Sequence, residues 1–211
     1  VLADGMGGAR AGEQASKLAA ETVVDVFREA GRCDSQVLLH AVEQANQQVM
    51  AAAKSDPSLE GMGTTLVVAC DMGEEVMIAS VGDSRAYLFD GGALTAVTQD
   101  QSWVNEVGRA MGLDEDTLRN HPLRHVLTMA IGAAHNLVVN YYTRAWAPGS
   151  VVMMSSDGLH GVVEPGEIEG ILRQSNGNGE PLEAVCHRLI NAARDSGGPD
   201  NVTVVLLRRT A

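Results

Sequence analysis

Four aspartates occupy similar positions in the chain, each at the point where an apolar, β-like run meets a tight turn. They are Asp4 in VLADGMGG, Asp83 in ASVGDSRAYLF, Asp157 in VVMMSSDGLHG and Asp200 in GGPDNVTVVLL. Carboxylates placed in this way could converge at the ends of neighbouring strands. Hard oxygen ligands, with no Cys or His at comparable positions, suit Mg²⁺ or Mn²⁺ better than Zn²⁺ or copper. The pattern therefore predicts a site for divalent cations.

The Asp-Gly turns also have a simpler, structural interpretation. Asp-Gly is a common turn dipeptide, so Asp4-Gly5 and Asp157-Gly158, taken singly, are more often structural than functional. However, each aspartate follows a run that we expect to be buried, which puts its carboxylate at the edge of a core. The glycines after Asp4 also let the backbone approach an ion closely, and a backbone carbonyl is itself a ligand for such cations.

The elements that must position these aspartates follow from hydrophobic periodicity. Helical spacing predicts helices over about 9–30 and 35–54, a pattern typical of an amphipathic pair. Four short runs separated by glycine-containing turns predict strands in an antiparallel meander, at 66–70, 75–80, 85–90 and 93–98. The remaining elements are helices over about 101–110, 114–119 and 181–194 and strands at 137–146, 150–156 and 201–209. This order predicts an α+β layered fold with helices outside antiparallel sheets.

Composition narrows the class of protein. With 211 residues, 45% hydrophobic and 20% charged, the chain has the balance of a single globular domain. The formal charge of −12 disfavours nucleic-acid and anionic-membrane partners, since both require basic patches. No apolar stretch has the roughly 18 residues of a membrane span and no signal peptide is evident, so we expect a cytoplasmic protein. Cys33, Cys70 and Cys186 have no metal-binding or redox spacing, which predicts structural thiols in a reducing compartment.

Five segments, taken in order, resemble the motif set of a known family. They match the metal-dependent serine/threonine protein phosphatases, the PPM or type 2C family, in their compact bacterial form. The segments are DGMGG (4–8), GMGTTLVVA (61–69), VGDSRAYL (81–88), SSDGLHGVV (155–163) and GGPDNVTVVLL (197–207). The resemblance covers essentially the whole chain. It implies a four-layer α-β-β-α sandwich with two antiparallel sheets and a binuclear Mn²⁺/Mg²⁺ site at one end.

The resemblance also implies a role for each aspartate. Asp4 corresponds to the carboxylate that bridges two metal ions, and the carbonyl of Gly5 corresponds to a ligand of the first. Asp157 and Asp200 correspond to ligands of the second ion. Asp83, together with Asp157, corresponds to the pair that holds a weaker third ion in bacterial members.

The chemistry of such a site is direct hydrolysis. Two cations roughly 3.5 to 4 Å apart can turn a bridging water into hydroxide near neutral pH and neutralise the phosphoryl group that it attacks. The predicted activity is therefore removal of phosphate from serine or threonine of proteins phosphorylated by a kinase, by a protein that we expect to be a monomer. Asn201 is expected to support Asp200, and His160, which follows the Asp157 turn, is the histidine expected to contact substrate.

The chain also departs from the family pattern. Family members carry an upstream segment with a phosphate-binding Arg and an acidic residue, and we expect that segment and its strands to lie before Val1. Met6 replaces a histidine that is a suggested proton donor in many eukaryotic members. Two alternatives follow: a catalytically impaired regulator with this fold, or a hydrolase of small phosphoesters. Residues 99–136 correspond to the flap, which borders the cleft and varies in shape.

Overall fold

The computed structural model describes residues 1–133 and 136–210, apart from the side chain of Ala9. Strands and helices alternate in blocks along the chain. In order they are β1 (Gly5–Met6), α1 (Ala9–Ala30), α2 (Ser35–Ser55), β2 (Gly63–Thr64), β3 (Leu66–Asp71), β4 (Glu75–Val81), β5 (Arg85–Asp90), β6 (Ala93–Ala96), α3 (Glu115–Arg119), β7 (Asn140–Ala145), β8 (Val151–Ser155), α4 (Asp157–His160), α5 (Pro165–Asn178), α6 (Leu182–Asp195) and β9 (Val204–Arg208). A 3₁₀ turn covers Pro57–Leu59 and a π-helical turn covers Val104–Gly108.

The longer strands form two antiparallel sheets. Sheet 1 has the order β3-β4-β7 and sheet 2 the order β6-β5-β8-β9, while β1 and β2 form a separate two-residue ladder. In sheet 2, Arg85 at the start of β5 lies opposite Ser155 at the end of β8, which in turn lies opposite Val204 at the start of β9. The turns that carry Asp83, Asp157 and Asp200 therefore all lie at the same end of the strands of sheet 2.

Alternation along each strand assigns its side chains to different layers. On β3, Leu66 and Val68 join the core under α1 and α2, while Val67 points into the core between the two sheets. On β8, Met153 joins the core under α5 and α6, while Met154 points between the sheets. The order of layers is thus helices, sheet 1, sheet 2, helices, which confirms the predicted α-β-β-α sandwich.

The long helices follow their sequence signals closely. Small residues such as Ala15 and Ala19 on α1 are fully buried in the core shared with α2. Gly31 ends α1 in the left-handed conformation with φ of 62°, and the side chain of Asp34 caps α2 by accepting from two backbone N–H groups at 3.0 and 2.9 Å. The predicted bounds of these two helices are confirmed to within a residue or two.

The predicted meander is wrong. β4 and β5 belong to different sheets, so the turn between them crosses from sheet 1 to sheet 2 instead of closing a hairpin. Gly82 makes this crossing possible, because its φ is 94° and a Cβ there would lie 2.9 Å from the Thr65 side chain. The helix expected over about 101–110 is also wrong in type, since this segment forms only the π-helical turn.

Helix α5 was not predicted from the sequence. Three glycines lie inside it, at positions 166, 170 and 177, and glycine lowers helix propensity. Its apolar signal is weak, because Ile168 and Leu172 are its only buried apolar residues. Packing of those two side chains on sheet 2, after a start at Pro165, stabilises the helix in place of propensity.

The cysteines differ from the expectation of free thiols. Cys33, in the loop after α1, is joined by a disulfide to Cys70 near the end of β3, with a Cα–Cα distance of 6.3 Å. Cys186 is free and partly buried. Among the described residues, no helix has both the length and the apolar character needed to cross a bilayer.

Candidate active site

The Asp4 turn is held by buried hydroxyl groups from a distant segment. The carbonyl oxygen of Asp4 accepts from the Thr65 N–H and from Thr64 Oγ1, both at 2.9 Å, and the Asp4 N–H donates to Thr65 Oγ1 at 3.0 Å. Thr65 Oγ1 also lies 2.7 Å from Ser84 Oγ. Because Ser84 follows Asp83 directly, one hydroxyl pair links the turns that carry two of the four aspartates.

The second pair of aspartates is held by contacts between the end of β8 and the start of β9. The Ser156 N–H donates to the Thr203 carbonyl at 3.1 Å, and the Thr203 N–H donates to Ser156 Oγ at 3.0 Å. Ser156 Oγ in turn donates to the Asn201 carbonyl at 3.3 Å. These bonds bring the turn with Asp200 against Asp157, the first residue of α4.

Two glycines permit close approach of backbone segments at the site. A Cβ on Gly5 would overlap the backbone of Gly12 in α1, and a Cβ on Gly158 would overlap the carbonyl of Asn201. Larger residues at either position would separate the segments that carry the carboxylates. The Asp-Gly pairs therefore have a packing role in addition to any chemistry.

Electrostatic coupling shows that the four aspartates form one cluster. Burial raises the pKa of Asp4 to about 6, and the charges of Asp157 and Asp200 and a hydrogen bond with Asp157 add to the effect. Burial raises the pKa of Asp83 to about 7, with further contributions from Asp157, Asp100 and Asp4. These carboxylates oppose one another's ionisation. A bound cation would offset their mutual repulsion and favour the ionised form.

The donor set fits a divalent cation. Asp157 Oδ1 is buried without a hydrogen-bond partner among the described residues, which is costly for a carboxylate unless something else binds it. Carboxylate and carbonyl oxygens are the ligands that Mg²⁺ and Mn²⁺ prefer. Within 1–133 and 136–210, no three His, Cys, Asp or Glu side chains already form a closed set of metal ligands. The carboxylates lie near one another, and what fits a divalent cation is the type of their donor atoms, not a ligand geometry that is already closed.

A cleft of about 480 Å³ opens over this cluster. Three of the aspartates line it, together with side chains of both charges from the turns and the flap. The polar lining residues are Asp83, Arg85, Asp100, Ser102, Arg124, His125, Asp157, His160 and Asp200. A cleft that combines carboxylates with arginines can hold a cation and an anionic group side by side.

Arg85 and Asp100 form a bidentate ion pair in the cleft wall. Arg85 Nε and Nη2 donate to the two carboxylate oxygens of Asp100 at 2.8 and 2.7 Å. Burial alone would lower the pKa of the Arg85 guanidinium, but the hydrogen bonds and charge of Asp100 outweigh it and the pKa is raised. The guanidinium is therefore charged, and the bidentate geometry of the pair fixes both side chains.

His160 lies in the cleft wall, close to the backbone of Asp83. Its Nδ1 is 3.0 Å from Ser155 Oγ, and its ring centroid is 6.5 Å from that of Tyr87. Burial lowers the pKa of His160 to about 3, the charge of Arg85 adds to this, and the backbone of Asp83 acts in the opposite direction. The imidazole is neutral and packed, and its contact with substrate stays a prediction.

Comparison with known proteins identifies the family. The family model for Protein phosphatase 2C matches residues 1–201. The chain belongs to the protein phosphatase 2C family. This phosphatase is similar to serine/threonine phosphatase stp of Listeria welshimeri, with 34% identity over 99% of this chain and 83% of that protein.

Solved structures extend the comparison. The phosphatase matches the Mycobacterium tuberculosis serine/threonine phosphatase PstP/Ppp with a TM-score of 0.88 and 33% identity, over 99% of this chain and 87% of that one. It also matches the catalytic domain of serine threonine protein phosphatase PstP in complex with two manganese ions, with a TM-score of 0.84 and 30% identity, over 99% and 86% of the two chains.

Three cleft residues of this 2C-family phosphatase were missed at the sequence level. Arg85 lies in the VGDSRAYL segment without a predicted role, and the sequence pattern predicts no role for Asp100 or Arg124. A phosphorylated substrate is anionic, so a search of the flap for cations could have found Arg124 beside His125. Nothing local marks Asp100, because its importance depends on its partner Arg85, fifteen positions earlier.

Proposed function

We propose that this chain is a Mn²⁺- or Mg²⁺-dependent serine/threonine protein phosphatase that hydrolyses phosphoserine and phosphothreonine by direct attack of water. One observation carries the proposal. Asp83, Asp157 and Asp200 line one cleft, and Asp4 is electrostatically coupled to Asp157 and Asp200. A buried carboxylate oxygen of this cluster, Asp157 Oδ1, has no hydrogen-bond partner in the part of the chain that the structure describes. The printed names of the relatives, which are serine/threonine phosphatases, support the same reaction.

The proposed ligands of two cations, with a third possible at the Asp83 side, all come from the cluster. They are Asp4, the carbonyl of Gly5, Asp83, Asp157 and Asp200. When bound, such cations would lower the pKa of a water molecule and neutralise the charge of the phosphoryl group. The two manganese ions reported with the PstP catalytic domain support this assignment. The Asn201 N–H donates to Asp200 Oδ1 at 2.7 Å, so Asn201 supports the orientation of that carboxylate.

The protein's own side chains also have defined tasks. Arg124 is exposed at the cleft, and its planar guanidinium group can donate to two phosphoryl oxygens at once. The carboxylates orient the attacking water, and the paired Arg85 and Asp100 keep the wall in place. Met6 has no proton to donate, so protonation of the leaving oxygen falls to another group.

The cysteines support hydrolysis without a phosphoenzyme. A cysteine nucleophile would have to be an ionisable thiol in the cleft. Cys33 and Cys70 are joined to each other, and burial raises the pKa of the Cys186 thiol, which makes the thiolate less available. None of the three belongs to the cleft lining.

The test is phosphate release from a phosphothreonine peptide with Mn²⁺, with EDTA, and with the Asp157→Ala variant. We expect turnover that requires Mn²⁺ and is lost in the variant, while calorimetry shows weaker Mn²⁺ binding by that variant. Activity that survives both EDTA and the substitution would refute the proposal. Tight Mn²⁺ binding without turnover would favour a regulator, and faster cleavage of small esters than of phosphopeptides would favour the small-phosphoester hydrolase.

We further propose that residues 1–211 form one catalytic domain with 99–136 as its flap, of which residues 134 and 135 lie outside the described residues. We expect a cytoplasmic monomer that acts on substrates of a serine/threonine kinase. Light scattering during gel filtration tests the oligomeric state. Cell fractionation tests the location, and recovery of the protein in an oxidising compartment, where the Cys33–Cys70 disulfide would persist, would contradict this proposal.

A further inference from the structure

A second cleft, of about 580 Å³, lies directly beside the catalytic cleft. It runs between the β6 edge of sheet 2, the start of β7 and the π-helical turn of the flap. Its lining residues are Arg85, Ala96, Thr98, Gln99, Asp100, Asn105, Glu106, Arg109 and Asn140. Arg85 and Asp100 line both clefts, so a single ion pair forms the boundary between them.

The walls of this flanking cleft are held in place by the core. Gln101 exchanges two hydrogen bonds of 2.9 Å with the backbone of Gly82, and its Nε2 donates to the Val138 carbonyl at 2.9 Å. The Gln99 N–H donates to the Tyr142 hydroxyl at 3.0 Å. The start of the flap is therefore tied to the crossing turn and to β7 of sheet 1, and the cleft is preformed.

Two arginines and two carboxylates line the flanking cleft, but one of the arginines is paired with a carboxylate outside the lining. Asp100 neutralises Arg85, and Glu115 pairs with Arg109. Glu106 is exposed on the π-helical turn, and its carboxylate has no ion-pair or hydrogen-bond partner among residues 1–133 and 136–210. The cleft thus presents one unpaired carboxylate and no unpaired cation to whatever enters it.

We propose that the flanking cleft binds the polypeptide next to the phosphorylated residue of the substrate, and that Glu106 selects a lysine or arginine there. This inference rests on the proposed function, because it requires a phosphorylated protein as substrate. A chain whose phosphate occupies the catalytic cleft must continue past its rim, and an extended chain advances about 3.3 to 3.6 Å per residue. Residues within a few positions of the phosphate therefore reach the flanking cleft, whose volume is in the range of pockets that hold a ligand.

The position of the cleft makes the prediction directional. Because it lies on one side of the catalytic cleft, only residues on one side of the phosphorylated residue can enter it. Long-range attraction by the formal charge of −12 would instead favour basic residues on both sides, and salt would screen it.

The test is a set of phosphothreonine peptides in which one lysine, or in a parallel series one glutamate, replaces alanine at each of four positions on either side. Cleavage is measured as kcat/KM with Mn²⁺ in about 0.15 M salt, where screening length is about 8 Å. For the wild-type protein we expect a lysine preference of up to about fivefold, the range of one partly exposed ion pair, at positions on one side only. The preference should disappear in Glu106→Gln and change to one for glutamate in Glu106→Lys.

Glu29→Gln is the matched control, because it removes the same charge from an exposed position. Glu29 lies seventeen residues after Gly12 on α1, about 25 Å along the helix from the Gly5 contact. This variant should keep the full preference. Equal lysine effects on both sides, or a preference that survives Glu106→Gln, would overturn the inference. The all-alanine peptide separates the two proposals: if the wild type does not cleave it, the proposed function itself fails.

Discussion

The two halves of the sandwich deliver carboxylates to the same site by different physical means. The half with α1, α2 and sheet 1 supplies Asp4, whose turn is held by buried threonine hydroxyls. The half with sheet 2 and α4 to α6 supplies Asp157 and Asp200, whose turns meet because Gly158 has no side chain. Threonine hydroxyl groups therefore position the carboxylate in one half, and the absence of a side chain on Gly158 allows the carboxylates to approach in the other half.

Asp83 belongs to neither half. It lies on the connection from β4 to β5, which crosses from one sheet to the other. Its neighbour Ser84 bonds to Thr65 of the first half, while the backbone of Asp83 acts on His160 of the second. The complete cluster exists only when the two sheets are stacked, which couples the site to the core between them.

The largest expected effect concerns the disulfide, which is found only in the first half. Reduction, or Cys33→Ser, should lower the free energy of unfolding by about 2–4 kcal/mol, because the bond closes a loop with a sequence separation of 37. Thermal unfolding with and without reductant measures this. Cys186→Ser should show the same sensitivity to reductant as the wild type. Three reactive thiols in the unreduced, unfolded protein would contradict the pairing.

The second prediction tests close approach in the second half. Gly158→Ala should destabilise the protein by about 1–3 kcal/mol and reduce phosphatase activity, because the new Cβ overlaps the Asn201 carbonyl and separates the turn of Asp200 from Asp157. Gly170→Ala, on α5, has open space around it and should stabilise the protein by about 0.5–1 kcal/mol. Denaturant unfolding compares the two, and equal effects would show that Gly158 has no packing role.

The third prediction tests the hydrogen bonds of the Thr65 hydroxyl group in the first half. Thr65→Val keeps the shape of the side chain but leaves the Asp4 N–H and Ser84 Oγ without their partner, at a cost of about 1–2 kcal/mol. Thr203→Val is the control in the second half, because there the backbone of Thr203 makes the bonds and its side chain is exposed. Urea unfolding should distinguish the two variants. A Thr65→Val protein as stable as the wild type would show that the Thr65 hydroxyl does not stabilise the Asp4 turn.

The smallest expected effect compares buried with exposed carboxylates. In EDTA, Asp157→Asn should raise the melting temperature by a few degrees, about 1 kcal/mol, because it removes a charge that opposes ionisation of Asp4. Asp200→Asn should change the free energy of unfolding by less than about 0.5 kcal/mol, since Asp200 is exposed. Calorimetry checks both values. A less stable Asp157→Asn protein would show that repulsion between Asp157 and Asp4 does not destabilise the fold.

Local patterns predicted much of the secondary structure. Helices α1, α2 and α6 were predicted close to their bounds because each has its own apolar face and end signals. The strands of the two sheets were also predicted, although β6, β7 and β9 are shorter than expected, while the two-residue strands β1 and β2 were not predicted. Helix α5 was missed since it depends on packing of Ile168 and Leu172, and not on propensity.

The pairing of strands was not predictable in the same way. Most strands bury apolar residues on both faces, so their sequences carry no mark of which sheet each belongs to. β4 and β5 follow one another with a glycine-containing turn between them, and such a turn is typical of a hairpin. Only the stacking of two sheets distinguishes a crossing from a hairpin at this point.

The sequence by itself determined the chemistry, because the four aspartates, their glycine turns and the order of the five motifs are local features of residue type and spacing. The tertiary structure decided which sheet each strand joins, the link between Cys33 and Cys70, and the pairing of Arg85 with Asp100 that separates the two clefts. These arrangements join segments brought together by burial of surfaces far apart along the chain, so no local pattern records them.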